Sequence, residues 1–295
     1  MHRLPPLWVW LLSALLIASA LLALHWTGER YRHERTQAFV QSQQQRLDDY
    51  LSRNPGPRIV MIGDSLMRAA MPYDALPTTP ALPWLRIYHA TDDFAPFIPF
   101  WPSLLTTPPD TLIIHADLLL PRPSRDKQKE STSTLLDDLH DWRDLQKTWR
   151  FDDAFRQHQY MKDARRAQSK TACLKSHPSW KKTRKKMMQR RHRYHHDTPI
   201  AEEQEHYLRQ AAAHIPNIIL LDIPRSQSIE DNFGDDTRHW LQALGRHLSD
   251  LPNVRIATLG EPLADACYCD YRHLKPACRS QLSGALRTLA EAAAP

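Results

Sequence analysis

A serine hydroxyl becomes an effective nucleophile near neutral pH only when a histidine can take its proton and a carboxylate holds that histidine in one tautomer. Ser65 is a candidate for that chemistry, in the run Ile59-Val60-Met61-Ile62-Gly63-Asp64-Ser65-Leu66. A tight turn from an apolar strand into a helix would lift the Ser65 hydroxyl above the carboxyl edge of a sheet, where ligands collect in open α/β folds. Gly63 lets the chain turn there without a Cβ clash. Alone, Gly-Asp-Ser-Leu is a short string, and a helix beginning Asp-Ser would read the same way. The partners decide, and three Asp-x-x-His strings are on offer. Asp137 and His140 fall in an amphipathic helical pattern whose solvated face accounts for them. Asp236 and His239 open a predicted helix, where Asp236 would act as a cap or complement the dipole. Asp270 and His273 occupy the loop between the last predicted strand and the terminal helix. In a parallel sheet that loop shares an edge with the loop carrying Ser65. Ser65, His273 and Asp270 are therefore the expected nucleophile, base and orienting carboxylate.

With Gly63-Asp64-Ser65-Leu66 near the start of the domain and Asp270-x-x-His273 near its end, the chain resembles the GDSL/SGNH hydrolase superfamily from about Arg58 to the C-terminus. The resemblance implies a flavodoxin-like three-layer α/β/α sandwich built on a mostly parallel five-stranded sheet. It also implies an acyl-Ser65 intermediate formed from an ester. Members include lipases, carbohydrate acetyl esterases and domains attached to polysaccharide O-acetylation machinery. The pattern departs from the family at the oxyanion hole, which is usually completed by a glycine after the second strand and an asparagine after the third. No glycine occurs between Gly63 and Gly234, and the third strand is followed by His115-Ala116-Asp117-Leu118. The amides of Ser65, Thr91 and Asp92 are the candidate donors, with Asp117 a further candidate beside the substrate, able only to accept if ionised. His115 reads equally as a strand-end residue and as a functional one. Losing an oxyanion donor costs about 3 kcal/mol of transition-state stabilisation, so a catalytically weak member that binds envelope polysaccharide or a membrane acyltransferase is the alternative expectation.

The elements that must position these residues are read from periodicity. Nearly continuous apolar runs predict strands at Arg58 to Ile62, Trp84 to Tyr88, Thr111 to His115, Asn217 to Leu221 and Asn253 to Thr258. Helical patterns lie between them, at Ser131 to Phe155, Pro199 to Ala213, Thr237 to Leu248 and about Ala277 to Ala293. Alternating strands and helices predict a parallel sheet covered on both faces. A run crowded with Lys and Arg, within a basic insertion at about 156–198, interrupts that rhythm. A solvated helix or loop explains it without a ligand, and an anionic glycan or lipid surface would also suit it.

At the N-terminus, Leu7 to Leu24 carries no charge and is about long enough to cross a bilayer as a helix. Trp8, Trp10 and Trp26 fall near its ends. The expected organisation is a tip and transmembrane anchor at 1–31, a stalk helix and linker at 32–57, and the hydrolase domain at 58–295. Flanking arginines lie on both sides of the span, so charge alone does not orient it. Cysteines bear on the compartment. Cys267, Cys269 and Cys278 bracket Asp270 and His273, and a bridge from Cys278 to Cys267 or Cys269 would suit an oxidising compartment. A zinc site from these cysteines and His273 is the rival, with spacing that matches no common finger. No cofactor or metal is expected. The address read from these features is the bacterial inner membrane, single-pass, with the catalytic domain in the periplasm. The formal charge of +6 suits an anionic partner. A periplasmic address sets nucleic acid aside and leaves acylated carbohydrate or another ester as substrate.

Overall fold

The computed structural model describes residues 6–53, 58–70, 84–89, 94–121, 180–195, 197–282, 284–285 and 288–289. Thr91, Asp92, the Asp137/His140 pair and the helix expected at Ser131 to Phe155 lie outside them. The chain divides into two compact units, residues 1–42 with 125–166 and residues 43–124 with 167–295. In the first, the described structure is helical, the start of a continuous helix α1 that runs Leu7–Arg53. Within it, Leu7–Gly28 is long and apolar enough to cross a membrane, and its most apolar stretch of 18 residues has a mean hydropathy of 2.4 with no buried residue.

The second unit is an α/β fold. Strands β1 (Ile59–Gly63), β2 (Trp84–Tyr88), β3 (Thr111–His115), β4 (Asn217–Asp222) and β5 (Val254–Thr258) form one sheet in the order β2-β1-β3-β4-β5. Every pairing is parallel, and the order is that of a flavodoxin-like sheet, whose switch point lies between β1 and β3. Short helices α2 (Ser65–Ala70) and α3 (Trp101–Thr106) follow β1 and precede β3, and α4 (Trp180–Tyr194), α5 (Glu202–His214) and α6 (Gln227–His247) are the longer helices that follow β3. Every residue of β1 and β3 is buried, which is why these strands read as unbroken apolar runs rather than alternating ones. Register aligns Met61, Ile113 and Ile219 on one face. There they pack against Met67 and Ala70 of α2 and against Tyr268, Leu274 and Leu282 from the C-terminal segment. On the other face Ile62, Ile114, Leu220 and Ile256 align, and α6 crosses closely enough that a Cβ on Gly245 would stand 3.3 Å from Ile256 Cδ1. The sheet is thus covered on both sides, and each fully buried aliphatic contributes about 1.5–3 kcal/mol.

The end of α1 belongs to this unit, not to a separate stalk. Leu47 and Leu51 are buried, and the Tyr50 hydroxyl accepts from Ile59 N at 3.0 Å, tying the helix to the first strand. Two helices differ from expectation. α6 begins ten residues before Thr237, because Ile229, Phe233, Thr237, Trp240 and Leu244 make one buried stripe at helical spacing. Where a terminal helix was expected from about Ala277, the chain starts with a 3-10 helix over Pro276–Leu282, and the described residues beyond it, 284–285 and 288–289, are α-helical. Cys278 is covalently tied back to Cys267.

Candidate active site

Asp64 shapes the turn that presents Ser65. Its Oδ1 accepts from Leu66 N at 2.8 Å and from Met67 N at 3.4 Å, capping α2. Gly63 is required by close approach: a Cβ there would lie 2.4 Å from Met67 Sδ and 2.6 Å from Met67 Cβ. Ser65 therefore leaves β1 at the switch point, above the carboxyl edge of the sheet.

The loop carrying the other two residues is stapled. Tyr268 and Leu274 form an antiparallel bridge, Cys269 N donates to His273 O at 2.8 Å, and Lys275 N donates to Cys267 O at 2.7 Å. At the tip Tyr271 adopts φ 63°, a left-handed conformation that is uncommon for a bulky residue. Its carbonyl accepts from Ser226 N at 3.0 Å. Disulfide Cys267–Cys278 closes the base of the loop, and Cys269 is also disulfide-bonded. Asp270 Oδ1 accepts from His273 N at 2.8 Å and from Arg272 N at 3.2 Å, which aims the second oxygen at the ring. That oxygen, Oδ2, lies 2.7 Å from His273 Nδ1. On the far side of the ring, His273 Nε2 lies 2.8 Å from Ser65 Oγ. The residues are 208 positions apart in sequence, and the fold sets them in one line of proton contacts. With the carboxylate accepting from Nδ1–H, Nε2 is left to accept from the serine hydroxyl. Burial works to raise the Asp270 carboxyl, but the His273 ring and the two backbone donors outweigh it and hold the group at about 2.

A buried ionic chain runs behind the serine turn. His115 Nδ1 stands 3.0 Å from Asp64 Oδ1, an ion-pair contact whose angle is off the line of a good hydrogen bond. Burial opposes charge on both groups, yet their mutual attraction holds Asp64 at about 2 and raises His115 above its ordinary value. Arg272 adds to the lowering of Asp64. His115 Nε2 lies 4.0 Å from Asp117 Oδ2, and the same oxygen accepts from Arg225 Nη2 at 2.5 Å. Arg225 donates in addition to the Tyr194 hydroxyl at 3.2 Å, and its backbone N–H donates to Glu230 at 2.8 Å. At the end of β4, burial pushes Asp222 up to about 6.

These positions amend two expectations. Asp117 is not a group beside the substrate: its carboxylate is buried and committed to Arg225. Asp236 is not a helix cap but lies inside α6, paired with His195 at 2.8 Å and Arg191 at 2.9 Å. His115 is brought beneath the serine turn, touching Asp64 and not the hydroxyl. Among the cysteines, Cys278 pairs with Cys267, and these bonds leave Cys267, Cys269 and Cys278 without a thiolate for zinc. Arg225 was missed by sequence reasoning. The signal available was its place just past the end of β4, on the same sheet edge as Ser65.

No family model and no curated protein matches the chain. Among solved structures it shows a remote similarity to a Streptococcus pneumonia protein provisionally described as a platelet activating factor. The two are 13% identical, the match covers 95% of this chain and 98% of that one, and the TM-score of 0.35 is too low to bear on the activity of this chain.

Proposed function

We propose that the protein is a membrane-anchored serine hydrolase of the GDSL/SGNH type that acts on O-acyl esters, chiefly O-acetyl esters, of cell-envelope carbohydrate. The observation that carries this reading is the contact series Ser65 Oγ, His273 Nε2 and Nδ1, Asp270 Oδ2, at 2.8 Å and 2.7 Å. His273 takes the hydroxyl proton as Ser65 attacks the ester carbonyl, then returns it to the departing sugar oxygen, leaving acyl-Ser65. Asp270 keeps the ring in the tautomer that can accept and stabilises the imidazolium that forms. The Ser65 amide is a candidate donor to the developing oxyanion. The acyl group then passes to water, giving an esterase, or to a second sugar hydroxyl, giving a transferase.

The apolar span Leu7–Gly28 supports attachment to the bacterial inner membrane as a single-pass protein. Disulfide bonds at Cys267, Cys278 and Cys269 support a periplasmic catalytic unit, since such bonds persist in oxidising compartments. One observation favours a second reading, a non-catalytic protein that binds envelope polysaccharide or a membrane acyltransferase. Asp117, near where the family places an asparagine donor, is a carboxylate held by Arg225. Purified full-length protein is expected to hydrolyse nitrophenyl acetate, with kcat falling about 10⁴-fold or more in Ser65→Ala. Absence of turnover, with glycan binding intact in Ser65→Ala/His273→Ala, would establish the second reading instead.

A further inference from the structure

Between Ala164 and His196 the chain holds twelve Lys and Arg and no Asp or Glu. The described part of that run is α4, and it is docked against the catalytic loop. Trp180, its first residue, packs on Tyr271 with ring centroids 5.0 Å apart, and Tyr271 stands between Asp270 and His273. Thr183, Met187 and Tyr194 continue the inward stripe at helical spacing. Met187 meets Ile229 and Phe233 of α6, and Tyr194 meets Trp240 at 5.8 Å.

The outward face is cationic. Lys181, Arg184 and Lys185 are exposed and make no ion pair or hydrogen bond among the described residues. The acids of neighbouring α6 do not neutralise them. Asp231 accepts from Gln227, Asp235 from Arg238 and Glu230 from Arg225, while Asp236 pairs with Arg191 and His195. Three uncompensated cations thus follow within about a turn and a half of the ring that rests on the catalytic loop.

We infer that this face of α4 binds an anionic polysaccharide and delivers it to Ser65, so that the ester substrate is carried on an acidic glycan. The inference rests on the hydrolase reading and adds the class of polymer. A lipid surface fits less well, because a helix that lies on a bilayer turns apolar residues outward. Here the apolar stripe faces inward, and Met188 is the one large hydrophobic side chain exposed on the described part of the helix.

The test uses full-length protein in detergent-free nanodiscs of zwitterionic lipid with three probes: polygalacturonate, neutral dextran and phosphatidylglycerol vesicles. Wild type is expected to bind polygalacturonate over dextran, with affinity falling as salt rises. Lys181→Glu/Arg184→Glu/Lys185→Glu should weaken that binding about tenfold or more. The ratio of kcat/KM on O-acetylated polygalacturonate to that on nitrophenyl acetate should fall in parallel. Arg184→Gln alone, a milder change, should move both in the same direction. Equal binding of dextran, affinity untouched by the triple substitution, or α4-dependent binding of vesicles in place of polygalacturonate would each overturn the inference. Polygalacturonate binding that the triple substitution removes, in a protein that turns over no ester, would keep this surface and reject the hydrolase reading.

Discussion

A carboxylate that fixes an imidazole must stay ionised wherever the imidazole is asked to act as a base. Asp270, held at about 2 by its ring partner and two backbone donors, meets that condition across the whole range in which histidine titrates. Asp270→Asn keeps the shape but presents a donor that favours the wrong tautomer. We expect kcat on a nitrophenyl ester to drop about 10⁴-fold with circular dichroism unchanged. Asp64 and Asp270 also set an acid limit on the fold. Both sit at about 2 against an ordinary 3.8, so the unfolded chain binds more protons between those values. Their stabilisation is complete above about pH 4 and is lost as pH falls toward 2. His115, shifted upward, has the opposite sign: its contribution is complete below the ordinary value of 6.5 and declines as pH rises through its raised value. Urea midpoints measured from pH 5 to pH 2 should fall steeply for wild type and more shallowly for Asp64→Asn, which has one fewer carboxylate to protonate.

At the scale of elements, the strand–turn–helix at Ser65 and the stapled loop at His273 were legible for different reasons. β1 and the Gly63-Asp64-Ser65 turn show in the sequence because both strand faces are buried and a glycine is obligatory. The Asp270–His273 spacing places both groups on one short loop, and parallel topology puts that loop on the serine's edge. β3 and β4 were readable for the same reason, their apolar runs being short and almost wholly buried, whereas β5, partly exposed, showed mainly through its β-branched residues. What was hidden depends on partners distant in sequence. The pairing of Asp117 with Arg225 spans 108 residues, and nothing in His115-Ala116-Asp117 marks the acid as buried. The early start of α6 was masked because its acids are surface and pairing residues interleaved with a core stripe. Substituting Gly63 tests the turn directly. Gly63→Ala must push Met67, and with it the first turn of α2, away from β1. It should destabilise the fold by about 1–3 kcal/mol and lower kcat disproportionately, as read by thermal melts beside ester turnover.

The whole molecule joins a helix with a bare apolar span to an α/β unit whose candidate site sits at the sheet's switch point. The span Leu7–Gly28 is 22 residues long, about 33 Å as a helix and so enough to cross the hydrocarbon of a bilayer. The full chain is expected to remain with membranes after an alkaline carbonate wash, and externally added protease should reach the α/β unit in cells with a permeabilised outer membrane and an intact inner one. Release by carbonate, or protection until the inner membrane is breached, would overturn the proposed address. The central claim is that Ser65 is a nucleophile activated by His273, and covalent trapping reads it most directly. Full-length protein treated with a fluorophosphonate should acquire one adduct, located by peptide mass spectrometry on Ser65 and absent from His273→Ala. No adduct on folded protein, or an adduct on another residue with Ser65 unmodified, would contradict the account.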